Sequence, residues 1–183
     1  KYNADEKIWN FKTYYPETDT VKNVDFYDSE DNKHLFEEKS GVGYYFENKL
    51  LFGDLKETDS GSTGLSLEFI APSDNTFEFF SGLQIVSPDG SEADVYVRIT
   101  KNGETVWPAE GGWKKTENAA VDQDIIIPMQ YLELVEGDGV ALQIYAENIA
   151  SADKTVKVAL AAPRFRVHDV VQGNTGFTAY VYS

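Results

Sequence analysis

Ala93-Asp94-Val95-Tyr96-Val97-Arg98-Ile99-Thr100-Lys101-Asn102-Gly103-Glu104-Thr105-Val106-Trp107 is the stretch on which the fold turns. Val95, Val97 and Ile99 alternate with Tyr96, Arg98 and Thr100. That alternation sends the first set to a core and the second to the opposite face of a sheet. Asn102-Gly103 is the preferred pair for a two-residue type I′ turn, whose two central residues both need positive φ. Such a turn pairs Lys101 with Glu104, Ile99 with Val106 and Arg98 with Trp107. Val106 then joins the core, while Trp107 lies beside Arg98 and near Tyr96 on the outward face.

Outward from this hairpin, strand-like segments fall at 8–15, 43–51, 65–70, 76–86, 93–100, 104–107, 121–127, 139–147, 155–167 and 176–182. Clusters such as Ser87-Pro88-Asp89-Gly90 and Glu136-Gly137-Asp138-Gly139 separate them. No segment holds a helical period over three turns. The acidic stretch 25–39 reads as a long loop, with 35–39 as one helical turn. In the strand 139–147, Val140, Leu142 and Ile144 alternate with Ala141, Gln143, Tyr145 and Glu147, so a second polar and aromatic row faces outward. In 155–167, Val156, Val158 and Leu160 point inward, and the small Ala159 and Ala161 are placed to floor a groove. Many short strands separated by turn signals predict an all-β, antiparallel sandwich or barrel, with little helix and one domain over 1–183.

Charge removes several partners. The chain has 183 residues, 31 Asp plus Glu against 16 Lys plus Arg, and a formal charge of −15. Nucleic acid and anionic membranes both call for a basic surface, so neither is an expected partner. The same charge repels polyanionic glycans and tilts any glycan ligand toward a neutral polymer. There is no Cys, hence no disulfide framework or thiolate site. No apolar run approaches the roughly 20 residues that span a bilayer as a helix. The sequence opens at Lys1 without Met, which reads as a processed or excised piece of a longer protein. Its unusual ingredient is aromatic, with 11 Tyr, 11 Phe and 3 Trp against a single Met.

Catalysis finds no site to rest on. His34 and His168 lie far apart in sequence, and neither a zinc-protease motif, a nucleophile elbow nor a phosphate-binding loop is present. The 31 acids supply so many carboxylate pairs that none stands out as a glycosidase dyad. No enzyme and no cofactor are therefore expected. A structural Ca²⁺ has three oxygen-rich candidates: Asp25-Phe26-Tyr27-Asp28-Ser29-Glu30-Asp31-Asn32, Asp89-Gly90 with Glu92 and Asp94, and Asp122 with Asp124. None carries the EF-hand spacing, and solvated acidic loops are the plainer reading.

Carbohydrate binding asks for a ring on which the C–H face of a sugar packs, with fixed donors and acceptors beside it. Trp107, Arg98 and Tyr96 meet that demand, with Trp113 in a Gly-Gly-Trp turn and Tyr145 with Gln143 as further candidates. Two placements of Trp107 are open, an exposed platform or a buried ring with Arg98 stacked on it. Trp113 is expected in solvent, Trp9 in the core and His168 on an outward strand position.

The run Val97-Arg98-Ile99-Thr100-Lys101-Asn102-Gly103-Glu104-Thr105-Val106-Trp107-Pro108, followed by Gly112-Trp113, resembles bacterial β-sandwich modules of multidomain, secreted polysaccharide-degrading proteins. Upstream, Trp9-Asn10-Phe11-Lys12-Thr13-Tyr14-Tyr15 is similar to their aromatic first strand, and Phe69-Ile70-Ala71-Pro72-Ser73-Asp74-Asn75-Thr76 to their strand, Ala-Pro turn, strand unit. Val135-Glu136-Gly137-Asp138 resembles the turn before their penultimate hairpin. Where those modules often carry Trp-Asp-Pro before the last strand, this chain has Ala161-Ala162-Pro163-Arg164-Phe165. The resemblance implies a jelly-roll-like sandwich with an accessory, non-catalytic role near carbohydrate. It further implies an extracellular or bacterial cell-surface location and linkage to other domains. The expected ligand is a neutral polysaccharide; the alternative is a structural or adhesion module with no glycan.

Overall fold

A computed structural model describes residues 9–23, 37–39, 43–45, 50–87 and 92–168. Among them all regular structure is β: β1 (Trp9–Tyr15), β2 (Thr20–Asn23), β3 (Glu37–Lys39), β4 (Gly43–Tyr45), β5 (Leu50–Thr58), β6 (Gly61–Ile70), β7 (Asn75–Ile85), β8 (Ala93–Lys101), β9 (Glu104–Trp107), β10 (Lys114–Ala119), β11 (Gln130–Leu134), β12 (Gly139–Glu147) and β13 (Thr155–Val167). Every ladder is antiparallel.

Two sheets face each other. The first runs β2-β1-β6-β12-β8, with β9 and β10 sharing the far edge of β8. The second is built on β13, with β4 and β5 along one side and β7 along the other; β3 extends β4, and β11 extends β7. The β5–β6 hairpin crosses between them, pairing Lys56 with Thr63 and Thr58 with Gly61, so ladders connect all thirteen strands. The long strands β5, β6, β7 and β8 alternate between the two sheets, as do β12 and β13. This is a β-sandwich of jelly-roll type.

The expected alternation sets the core. Val95, Val97 and Ile99 of β8, Leu142 and Ile144 of β12, and Leu67 and Phe69 of β6 face Val156, Val158 and Leu160 of β13 and Phe77 and Phe79 of β7, all buried. Phe165 stacks on Phe69 with centroids 3.9 Å apart and on Phe79 at 4.5 Å, which ties the two sheets at the centre. Each such side chain contributes about 1.5–3 kcal/mol by leaving water.

Several expectations need correction. Of the expected strand 43–51 the structure describes β4 as far as Tyr45 and β5 from Leu50, and residues 46–49 lie outside the described residues. The expected strand 121–127 forms only a bridge between Asp124 and Gln84; Ile125 and Ile127 are buried, while Ile126 between them is 76% exposed. Its alternation holds, but the backbone touches β7 at scattered points only. Of the helical turn expected at 35–39, residues 37–39 form β3 instead, and 35–36 lie outside the described residues. Polar β10 and the short β2 and β11 gave too little hydrophobic alternation to be read. The segment 176–182, the Asp25–Asn32 cluster, Asp89-Gly90, His34 and the side chain of Trp9 lie outside the described residues.

Candidate functional site

The hairpin turn forms as its sequence dictates, with Asn102 at φ 50° and Gly103 at φ 88°. Lys101 pairs with Glu104, and Thr100 with Thr105. A bulge follows, so that Ile99 lies opposite Trp107 rather than Val106. One extra residue flips every side chain beyond it to the other face. Trp107 is therefore not the outward neighbour of Arg98; it is half-buried and packs against the core. The place beside Arg98 goes to Trp113. Gly111 (φ 84°) and Gly112 (φ 73°) take conformations that side chains resist and turn the chain back over the first sheet.

Trp113 covers Arg98, whose guanidinium carbon sits 4.3 Å from the ring centroid. The indole meets Tyr145 edge-on at 4.8 Å and 88°, and Tyr145 stacks parallel to Tyr96 at 4.6 Å and 5°. The strand register causes this stack, since β12 and β8 place Tyr145 opposite Tyr96 and Gln143 opposite Arg98. The two outward rows thus belong to one sheet. Arg98 Nε donates to Gln143 Oε1 at 2.9 Å, and Nη2 donates to Asp19 Oδ1 at 2.8 Å and to the Tyr14 hydroxyl at 3.2 Å. Tyr14 in turn donates to Asp19 at 2.8 Å. Arg98 is consequently sunk into the face, its side chain 13% exposed.

Burial, aided by neighbouring acids and phenols, raises the pKa of all three tyrosines. For Tyr96 and Tyr145 the main acid is Glu147, and for Tyr14 it is Asp19. Tyr145 is pushed up to about 12. At neutral pH the phenols are uncharged and keep their protons.

Beside this aromatic half the same face opens into a trough of 280 Å³, lined by Lys12, Ser66, Glu68, Thr100, Asn102, Ala141 and Gln143 among others. Its floor follows the ladder from β8 through β12 to β6, with Thr100 opposite Ala141 and Gln143 opposite Ser66. Gln143 Nε2 donates to Ser66 Oγ at 3.4 Å, and Lys12 pairs with Glu68 at 3.2 Å on the wall.

Of the sequence candidates, Tyr96, Arg98, Trp113, Gln143 and Tyr145 converge, and Trp107 does not. Trp113, expected in solvent, is half-buried under its neighbours. Tyr14, Ser66 and Thr100 were not singled out, although Ser66 and Glu68 alternate with Leu65, Leu67 and Phe69 in the same pattern that revealed β8. The row expected to floor a groove on β13 lies on the other sheet, where Lys157 pairs with Asp54 at 3.1 Å and Ala159 is buried. His168 follows β13 and sits 2.6 Å from Glu78.

Among the described residues no three His, Asp or Glu side chains converge to hold a metal ion. Asp94 is occupied by the Asn118 backbone N–H at 3.0 Å and Asn148 Nδ2 at 2.8 Å, which hold its carboxyl below the usual range. Asp124 accepts from Gln84 at 3.2 Å.

The chain matches no family model and no curated protein. It is similar, at 17% identity and a TM-score of 0.31, to a family 35 carbohydrate binding module from Clostridium thermocellum, over 76% of this chain and 95% of that one. A similar likeness, at 11% identity and a TM-score of 0.28, links it to the CBM22-1 xylan-binding domain from Paenibacillus barcinonensis, over 72% of this chain and 88% of that one. It is also similar to a CocE/NonD family hydrolase from Staphylococcus aureus at 8% identity and a TM-score of 0.37, over 87% of this chain. The chain spans only 36% of that hydrolase's length. It spans 16% of a beta-glucosidase from Kluyveromyces marxianus, which it resembles at 14% identity over 91% of itself with a TM-score of 0.32. At TM-scores this low none of these likenesses bears on fold or function, which rest on the chain's own residues.

Proposed function

We propose that this chain is a non-catalytic carbohydrate-binding module whose ligand is a neutral polysaccharide, met on the outer face of the first sheet. The observation that carries the reading is contiguity. The partly exposed rings of Trp113, Tyr96 and Tyr145 adjoin a trough lined by hydroxyl and amide groups on one sheet face. Sugars need both an apolar ring to pack on and polar groups at fixed positions. The charge of −15 favours an uncharged polymer. In a secreted or cell-surface protein such a module acts by targeting, since weak binding to a glycan raises the effective concentration of a linked domain. The reading needs no metal.

Affinity electrophoresis in gels containing soluble starch, xylan, galactomannan or hydroxyethyl cellulose tests it. Retardation is expected in at least one gel, and Trp113→Ala reduces it without changing the far-UV circular dichroism. No retardation in any gel, with or without Ca²⁺, defeats the proposal. One observation favours the alternative of a structural or adhesion module: Arg98 already gives Nε and Nη2 to Gln143, Asp19 and Tyr14 and lies under Trp113. On that reading Trp113→Ala lowers stability and there is no glycan binding to lose.

A further inference from the structure

Among the described residues every buried polar side chain but one has at least one hydrogen-bond partner. Ser62 donates to the Ala146 carbonyl at 3.0 Å, Ser81 to the Gly82 carbonyl at 2.9 Å, and Ser87 accepts from the Lys157 N–H at 2.7 Å. Asp94 holds Asn118 and Asn148, and Gln143 joins Arg98 to Ser66. Thr100 is the exception. Its side chain is on the floor of the trough, the residue is 3% exposed, and its hydroxyl has no hydrogen-bond partner among the described residues. A buried hydroxyl left unpaired forfeits its hydration with nothing in return, so one that persists calls for an explanation.

Two neighbours share this incompleteness. Among the described residues Ser66 Oγ accepts from Gln143 but its own O–H is uncommitted, and Gln143 Nε2 has a second N–H beyond the one given to Ser66. The three groups sit on adjacent strands around Ala141, whose methyl leaves the space above them open. The charges on the wall, Lys12 and Glu68, neutralise each other. The 280 Å³ trough is roomy enough for a sugar ring.

We infer that Thr100, Ser66 and Gln143 form a hydroxyl-reading subsite for one uncharged sugar unit, separate from the aromatic cluster. The inference rests on the carbohydrate reading above and gives it a location. Thr100→Val replaces the hydroxyl with a methyl of the same shape. Affinity for whichever of soluble starch, xylan, galactomannan or hydroxyethyl cellulose retards the wild-type chain falls about fivefold, the worth of one neutral hydrogen bond. The melting temperature stays level or rises by a few degrees, because an unpaired buried hydroxyl has been removed. Ser66→Ala lowers affinity to a similar extent. Wild-type binding with unchanged affinity in Thr100→Val overturns the subsite and leaves the carbohydrate reading standing. A lowered melting temperature in Thr100→Val also overturns it, since the hydroxyl then has an internal partner. Failure of the wild type to bind any of the four polymers removes both.

Discussion

The two outer faces of the sandwich are built from similar ingredients and arrive at different surfaces. Each lays an arginine over a ring, Arg98 over Trp113 at 4.3 Å on the first sheet and Arg164 over Phe80 at 4.9 Å on the second. Each sets arginine against carboxylate. On the second face several charged groups close on one another: Lys157 pairs with Asp54 at 3.1 Å, and Glu78 receives Arg166 and, at 2.6 Å, His168. Its small residues, Ala159, Ala161 and Gly82, lie together without a polar atom among their side chains. On the first face the small residues lie among hydroxyls and an amide, and these sink below the surface without being fully paired. Aromatic and arginine content therefore does not separate a ligand face from a structural one. What separates them is whether the polar groups are used up within the face.

The largest difference between the faces is expected when a methyl is added at a glycine in each. A methyl on Gly64, which lies opposite Tyr14 on the first sheet, meets the Ile144 carbonyl oxygen at 2.0 Å and Tyr145 Cβ at 2.8 Å. Backbone must move, and Gly64→Ala is expected to cost about 3 kcal/mol in urea denaturation. The same change at Gly82 meets only Ala161 Cβ, at 3.1 Å. A shift of a few tenths of an ångström accommodates it, and the stiffer unfolded chain offsets part of the strain, so the net change stays within about 1 kcal/mol. Equal costs at the two glycines would mean that the faces are packed alike.

How much of this was legible follows from where the signal lies. The inward rows of β8, β12 and β13 were readable because alternation is local, and they predict a one-sided β layer over a core, which a sandwich and a barrel share. Tyr96 and Tyr145, or Arg98 and Gln143, were recognisable as outward residues, yet their adjacency comes from pairing strands more than 40 residues apart in sequence, which one chain does not display. Trp107 failed for a different reason. A single bulged residue at Val106 reverses the face, and nothing in Glu104-Thr105-Val106-Trp107 marks the bulge. Thr100 stood in the alternation from the start; what makes it a candidate is a missing partner, which only the folded chain reveals.

A second contrast concerns the two stacked arginines. Arg98→Ala strips the ring contact with Trp113, leaves Gln143 Oε1 without its donor inside the face and unties Asp19. An orphaned buried acceptor and lost packing together are expected to cost about 2 kcal/mol. Arg164→Ala loses a cation–π contact over Phe80 and is expected to cost about 0.5 kcal/mol. Chemical denaturation of both variants reads the difference, and a larger loss at Arg164 would reverse the assignment of the tightly knit face.

The smallest expected effect sets Glu78 of the second face against the phenols of the first by pH. Burial tends to raise the Glu78 carboxyl, but hydrogen bonds from Arg166 and His168 outweigh it and hold its pKa below the ordinary glutamate value. Between that lowered value and the ordinary one near ~4.3, the unfolded chain binds more protons than the folded one, so stability rises with pH there. The contribution of Glu78 is present above the ordinary value and is lost as pH falls through the lowered one. The phenols of the first face behave in the opposite sense, while its Asp94, held low by Asn118 and Asn148, adds to the acid limb as Glu78 does. Burial raises the phenols, Tyr145 to about 12, so above the ordinary tyrosine value near ~10 the folded chain keeps protons that the unfolded chain has released. Stability then falls as pH climbs from about 10 toward 12. Urea midpoints taken across pH should show Glu78→Gln flattening only the acid limb and Tyr145→Phe only the alkaline limb. If either variant flattens the other limb, the two faces are coupled through the core and the contrast between them is not local.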